Sequence, residues 1–312
     1  MDSLVYSLNA TVPVFLVMIV GYILKRIGIL GEAFVKSANT FNFNVTLPAL
    51  LLQDLMSTDF RNVFDWKYVV FCAVVTVICF TVIWAGAGLL IKNRKLIGEF
   101  VQGSFRGSAA VLGTAFVLNI YGHTGMVPLM IIGSVPLYNI FSVIVLSFES
   151  GENRNGRIKN AILGIIKNPI IISIVLGMTL SLLKVDFPKI IDTTVGNFAK
   201  MATPLALVCI GAAFEDKKAI KLLNPTLVMS VIKLIIQPAI FLPIAVLMGF
   251  TGEKLVALII MLGAPTTPSC FIMAKSMGYD GVLSSGAVVL TTIMSAFTIT
   301  ACLFVVRTLG FV

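Results

Sequence analysis

Apolar residues run along this chain in ten blocks separated by short polar or Gly/Pro-marked breaks. The blocks cover about 4–24, 33–56, 66–91, 98–121, 125–148, 161–183, 189–213, 222–249, 254–277 and 281–309. Each is long enough to cross a bilayer as a helix, which takes about 20 residues. The pattern predicts an all-α integral membrane protein of ten transmembrane spans.

The pattern also repeats. Half of 312 is 156, and adding 156 carries Pro13 to Pro169, Gly21 to Gly177, Pro48 to Pro204, Gly107 to Gly263, Gly122 to Gly278 and Gly125 to Gly281. Gly and Pro punctuate helices, so matched punctuation predicts matched architecture. Residues 1–148 read as a first five-helix repeat, 149–160 as a cytoplasmic linker and 161–312 as a second repeat. Five is odd, so the second repeat enters the membrane from the opposite side. Inverted repeats of this kind are a transporter pattern and permit alternating access.

Composition agrees: 58% of residues are hydrophobic, 12% are charged and the mean hydropathy is +1.02. A soluble domain carries about 25% charged residues. The net charge of +9 is not read as a nucleic-acid signal, because the loop charges orient the protein. Alternate loops hold 14 and 6 Lys/Arg, with Arg106, Lys200 and Lys233 left inside spans. The richer side is cytoplasmic by the positive-inside rule, which puts both termini outside a cytoplasmic (inner) membrane. Lys25 and Arg26 follow the first apolar run, the reverse of a signal peptide, so it reads as a retained helix. Cys72, Cys79, Cys209, Cys270 and Cys302 lie in apolar runs without metal-ligand spacing.

Blocks 4 and 9 are interrupted. Block 4 holds Gly103, Gly107, Gly113 and Gly122; block 9 holds Pro265 and Pro268. The breaks expected at Gly107, Gly113, Pro265 and Pro268 occupy equivalent repeat positions. Such breaks free backbone N–H groups at mid-membrane, where a carboxylate could bind. Kinked, tightly packed helices are the competing reading.

The intramembrane cations need partners, since each costs about 2.5–3.5 kcal/mol at a helix centre. No acid lies mid-span: Asp54, Glu99, Glu149 and Asp280 fall at span ends or in loops. A permeating anion would supply the missing counter-charge, with Lys233 the deepest cation and Gln237 one turn away on the same face. Snorkelling or bonding to carbonyls is the alternative for the cations. The candidate substrate-binding residues are Asn42, Asn44, Arg106, Ser108, Asn139, Lys233, Gln237, Thr266, Thr267 and Ser269. Helix–helix hydrogen bonding is the alternative for the polar ones. No metal site or cofactor is expected. The scarcity of buried acids weighs against a carboxylate proton relay, yet Na⁺ or H⁺ coupling stays open. His123 is the single histidine, and no protease-type motif surrounds it, so no enzyme is expected.

The segments PVFLVMIVGYILKRIGIL (13–30), FNFNVTLPALLL (41–52), VPLYNIFSVIVL (135–146), VIKLIIQP (231–238) and FIMAKSMGYDGVLSSGAVVLTTIMS (271–295) carry a resemblance. In order and spacing the chain resembles the auxin efflux carrier family in its bacterial form, including malonate-type transporters. The resemblance implies crossing broken spans 4 and 9 beside a substrate site. It also implies a scaffold from spans 1, 2, 6 and 7 and a transport domain from spans 3–5 and 8–10. The chain departs from plant members at Ser108 and Ala115, where they carry an Asn-containing segment and a Pro, and it lacks their long central loop. The expected function is secondary transport of a small mono- or dicarboxylate, auxin-like or malonate-like. A sodium-coupled carrier of a bile-acid-like or neutral solute and a non-transporting receptor are the alternatives. The expected partners are the organic anion and the lipid bilayer, with no nucleic acid and with room for a homodimer.

Overall fold

The computed structural model describes residues 2–56, 65–109, 117, 120–123, 125–149, 166–185, 187–214 and 216–312. Gly113, Ala115 and all but the first residue of the 149–160 linker lie outside the described residues. The described secondary structure is helical throughout. The helices are α1 (Asp2–Arg26), α2 (Glu32–Phe41), α3 (Leu47–Met56), α4 (Trp66–Leu90), α5 (Arg94–Phe105), α6 (Val127–Glu149) and α7 (Pro169–Leu182). The second half continues with α8 (Lys189–Ala212), α9 (Asp216–Lys221), α10 (Leu223–Val231), α11 (Gln237–Leu247), α12 (Glu253–Gly263), α13 (Ser269–Ser276) and α14 (Val282–Thr308).

Helix ends follow local chemistry. α1 closes on Gly28 at φ 83°, and the Ile29 amide returns to the Leu24 carbonyl at 3.0 Å, a glycine C-cap. Asp65 caps α4 by accepting from the Tyr68 amide. Asn168 caps α7, with Pro169 at its first position. Both choices suit a helix start. Within the sixth expected span the described helix is Pro169–Leu182; residues 161–165 lie outside the described residues.

Two helices contain a single π turn, Asn42–Thr46 between α2 and α3 and Ile232–Ile236 between α10 and α11. Each turn sits just ahead of a proline. The Leu47 amide reaches the Asn42 carbonyl and the Gln237 amide reaches the Ile232 carbonyl, each five residues back. Pro48 and Pro238 follow immediately. A proline ring collides with the carbonyl four residues earlier, and widening the turn relieves the collision. The widened turns leave Asn42, Thr46 and Lys233 fully buried.

α1 lies along α8, and α3 lies along α7 and α8; α4, α5 and α6 pack together, as do α10 with α14 and α11 with α12. α1 also runs beside α14. The α1–α8 approach is close enough that a Cβ on Gly21 would overlap the Val208 carbonyl. On α7, a Cβ on Gly177 would lie 3.3 Å from the Leu52 carbonyl. Adding 156 carries Gly21 to Gly177 and Leu52 to Val208, so the two approaches join corresponding residues.

Among the described residues, five stretches are long and apolar enough to cross a membrane: Trp66–Leu90, Val127–Glu149, Lys189–Ala212, Leu223–Leu247 and Val282–Thr308. Their outward faces are apolar, as with Val70, Val74 and Val82 on α4 and Phe297 and Phe304 on α14. Lipid, not water, suits such faces. The chain is a multi-pass membrane protein. Lys200 is exposed on α8, where its long side chain can reach an interface. The described cysteines are all free.

Candidate functional site

Two helices stop side by side in the interior. α5 ends at Phe105, and residues 106–108 are not helical. α12 ends at Gly263, Ala264 is extended, and α13 starts only at Ser269. The two interruptions touch: the Ser108 amide donates to the Pro265 carbonyl at 2.8 Å. Gly107 allows this approach, because a Cβ there would lie 2.8 Å from the Ala264 carbonyl and 2.9 Å from Lys233 Cε.

Helices that stop leave carbonyls without intrahelical donors. Side chains meet that need. Thr266 Oγ1 donates to the Gly103 carbonyl at 2.8 Å, and Gln237 Nε2 donates to the Ser104 carbonyl at 2.6 Å. Gln102 Nε2 adds a bond across the crossing, donating to the Cys270 carbonyl in the first turn of α13 at 2.9 Å. Lys233 Nζ donates to the Met261 carbonyl at 3.1 Å and to Gln237 Oε1 at 3.4 Å. Lys233 and Gln237 thus reach the last turns of both α12 and α5 from the π turn of the α10–α11 helix.

The other side of the crossing is a cavity of about 70 Å³. Arg106, Gly107, Ser108, Asn139, Thr267, Pro268 and Ser269 line it, facing Leu47, Leu50, Leu51 and Asp54 of α3 and Ala202, Thr203 and Ala206 of α8. Arg106 is the organising group. Its Nη1 donates to Ser142 Oγ and Met273 Sδ, each at 3.1 Å. Its Nη2 donates to Asn139 Oδ1 at 3.0 Å and Ser269 Oγ at 2.8 Å. Nε has no partner among the described residues. Every one of these acceptors is uncharged, so the guanidinium keeps its full charge beside the cavity. Thr267 Oγ1 and Ser269 Oγ lie 3.1 Å apart at the start of α13, where helix amides and dipole favour an anion.

The ten candidate residues therefore separate. Arg106, Ser108, Asn139, Thr267 and Ser269 meet at the cavity. Lys233, Gln237 and Thr266 sit behind the crossing and do not line it. Asn42 is buried in the α2–α3 helix, where its amide donates to the Ala202 carbonyl at 2.9 Å and its Oδ1 accepts from Thr46. Asn44 is exposed, with its amide on the Thr40 carbonyl of its own helix. Of the helix-break residues, Gly107, Pro265 and Pro268 lie in the interruptions.

Asp54, an acid near a span end, also lines the cavity. Leu47, Leu50, Leu51 and Asp54 follow the i, i+3, i+4, i+7 spacing of one helix face, a signal available in the sequence. Glu99, another of these acids, is buried. Its carboxylate accepts from the Gly281 and Ser284 amides at 3.1 and 2.8 Å, capping α14 from α5.

No group of three or more potential metal ligands among His, Cys, Asp and Glu occurs among the described residues.

Comparison with known proteins places the chain in a family. The family profile described as membrane transport protein matches residues 6–303. An uncharacterized transporter of Methanothermobacter thermautotrophicus is 23% identical over 293 residues, covering 93% of this chain and 95% of its own. A Rhizobium meliloti protein named "Putative malonate transporter" is 22% identical over 303 residues, covering 95% and 94%. The uncharacterized transporter YfdV of Escherichia coli is 25% identical over 313 residues, covering 97% and 98%. These matches run the length of the chain and make it a membrane transporter, not an enzyme. The chain belongs to the membrane transport protein family, the auxin efflux carrier family that its sequence resembles.

Proposed function

We propose that the chain is a secondary transporter that moves a small organic anion, a mono- or dicarboxylate, across the cytoplasmic membrane by alternating access. The observation that carries this reading is the Arg106 guanidinium, which lines the cavity and, among the described residues, has only neutral hydrogen-bond partners. An arginine matches a carboxylate in charge and in planar geometry. Ser108, Thr267 and Ser269 would bind the remaining carboxylate oxygens, and Asn139 would hold Arg106 in place. The cavity volume of about 70 Å³ favours a compact solute over a bile-acid-sized one, since drug-sized ligands occupy pockets of roughly 300–1,000 Å³. The name of the Rhizobium meliloti relative points the same way.

Movement is the second part of the reading. The matched approaches Gly21–Val208 and Gly177–Leu52 support two inverted five-helix repeats in a ten-span fold. Corresponding contacts in opposite orientation let one assembly open to either side at similar cost. The described interruptions after Phe105 and Gly263 support broken spans 4 and 9. The packing of α1 and α3 on α7 and α8 supports a scaffold of spans 1, 2, 6 and 7, with spans 3–5 and 8–10 moving against it, α14 sliding along α1.

The test is flux in proteoliposomes. Radiolabelled malonate and short monocarboxylates should enter saturably and exchange with unlabelled substrate loaded inside. Binding without exchange would instead identify a receptor. Uptake that never saturates and shows no counterflow would identify a channel.

A further inference from the structure

The crossing concentrates partial negative charge on the side away from the cavity. α5 and α12 both finish there, and the C-terminal end of a helix carries roughly half an elementary negative charge. Thr266 and Gln237 satisfy carbonyls of α5 as hydrogen-bond donors, but both are neutral and leave the charge in place. Buried carbonyl oxygens at two helix C-terminal ends attract a cation.

Lys233 already occupies that position. It is fully buried, and its ammonium is held by two uncharged oxygens, the Met261 carbonyl and Gln237 Oε1. The Cβ position of Gly107 lies 3.1 Å from the same Nζ and 2.8 Å from the Ala264 carbonyl. The ammonium therefore sits against both interruptions at once. No ion pair to Lys233 is found among the described residues. A second cation beside it would meet like-charge repulsion in a poorly solvated interior.

We infer that the Lys233 ammonium is a protein-borne counter-cation for the two helix ends, so that the carrier works without sodium. The charge that another carrier could take from a Na⁺ gradient is here tethered by the lysine side chain. The sodium-independence rests on the anion-carrier reading; the electrostatic role of Lys233 does not. The oxygens around Nζ form a cation position that opens when the side chain is shortened.

Thermal unfolding of detergent-purified protein tests this in matched NaCl, choline chloride and ethylammonium chloride, with malonate-induced stabilisation as a second readout. Wild type should unfold at the same temperature in all three salts, and any malonate shift should not depend on Na⁺. Lys233→Ala should lose about 5 °C or more in choline, a bulky cation, and regain at least half of that with Na⁺ or ethylammonium. Lys233→Met, similar in length but uncharged, should be destabilised and not rescued.

A malonate shift that appears in wild type only with Na⁺ would overturn the inference. So would Lys233→Met as stable as wild type, or a Lys233→Ala loss that no cation restores. If Lys233→Ala does not fold, wild type and Lys233→Met still decide. A wild type that ignores malonate but shows cation rescue in Lys233→Ala would sink the anion reading and leave the role of Lys233 standing.

Discussion

The Ser108 amide donates to the Pro265 carbonyl across 2.8 Å, joining the two helix interruptions backbone to backbone. Substituting either side chain leaves the donor and acceptor in place, so the bond is set by the path of the chain. That path needs a residue without Cβ at Gly107, which faces the Ala264 carbonyl and the Lys233 side chain. Gly107→Ala should therefore cost about 1–3 kcal/mol through overpacking and reduce transport along with stability. Unfolding temperature and initial uptake rate, measured on the same preparation, check this. A fully active and stable Gly107→Ala would mean that the crossing is looser than described.

Gln237 links Lys233 to the end of α5. Gln237→Leu removes the 2.6 Å bond to the Ser104 carbonyl and one acceptor of the buried ammonium. Leaving that carbonyl unpaired should cost about 1–3 kcal/mol. Thermal unfolding of the variant checks it, and no loss would mean that Ser104 finds another donor.

Asp54 shares the cavity with Arg106, so its carboxylate opposes a bound anion. Asp54→Asn should tighten anion binding by about 1 kcal/mol, roughly fivefold, for charges of like sign several ångströms apart in a partly solvated protein site. The gain should be larger for a dicarboxylate than for a monocarboxylate. Equilibrium binding of both ligands to both proteins decides it; weaker binding in the variant would make Asp54 a positioning group instead.

A clamp at the loop end of α4 gives a pH prediction. Lys254 Nζ lies 2.6 Å from Asp65 Oδ2, and this ammonium holds the Asp65 carboxyl below its usual range. A lowered folded pKa means that the ion pair's stabilisation is present above the unfolded value and lost as pH falls through the folded one. The loss belongs below about pH 4 and should be under about 1 kcal/mol, because the pair is partly exposed. Lys254→Met should remove this contribution to the acid-side decline of the unfolding temperature.

That the chain crosses the membrane several times is legible because lipid demands long apolar runs, and the prolines at 265 and 268 mark the non-helical stretch before Ser269. The pairing of Lys233 with Gln237 was legible from their spacing. Which side of the crossing they would face was not, because that depends on how two other helices end. The π turns were missed. Pro48 and Pro238 announced a disturbed helix, but choosing a π turn over a kink depends on neighbours that relieve or resist the bend. Asp54 does fall near a span end, but that position alone does not say that its helix face points into the cavity. Arg106 was identified as a buried cation, but its partners come from residues 139, 142, 269 and 273, which only the fold brings together.

The central claim is that Arg106 binds a small organic anion. The most direct measurement is equilibrium binding of malonate and short monocarboxylates to purified wild type and Arg106→Gln, with both proteins verified as folded. The account predicts saturable binding to wild type and at least a roughly tenfold weaker affinity in Arg106→Gln, the scale of a lost charge-assisted pair. Equal affinity in the two proteins, or a folded wild type that binds none of these carboxylates, would contradict it.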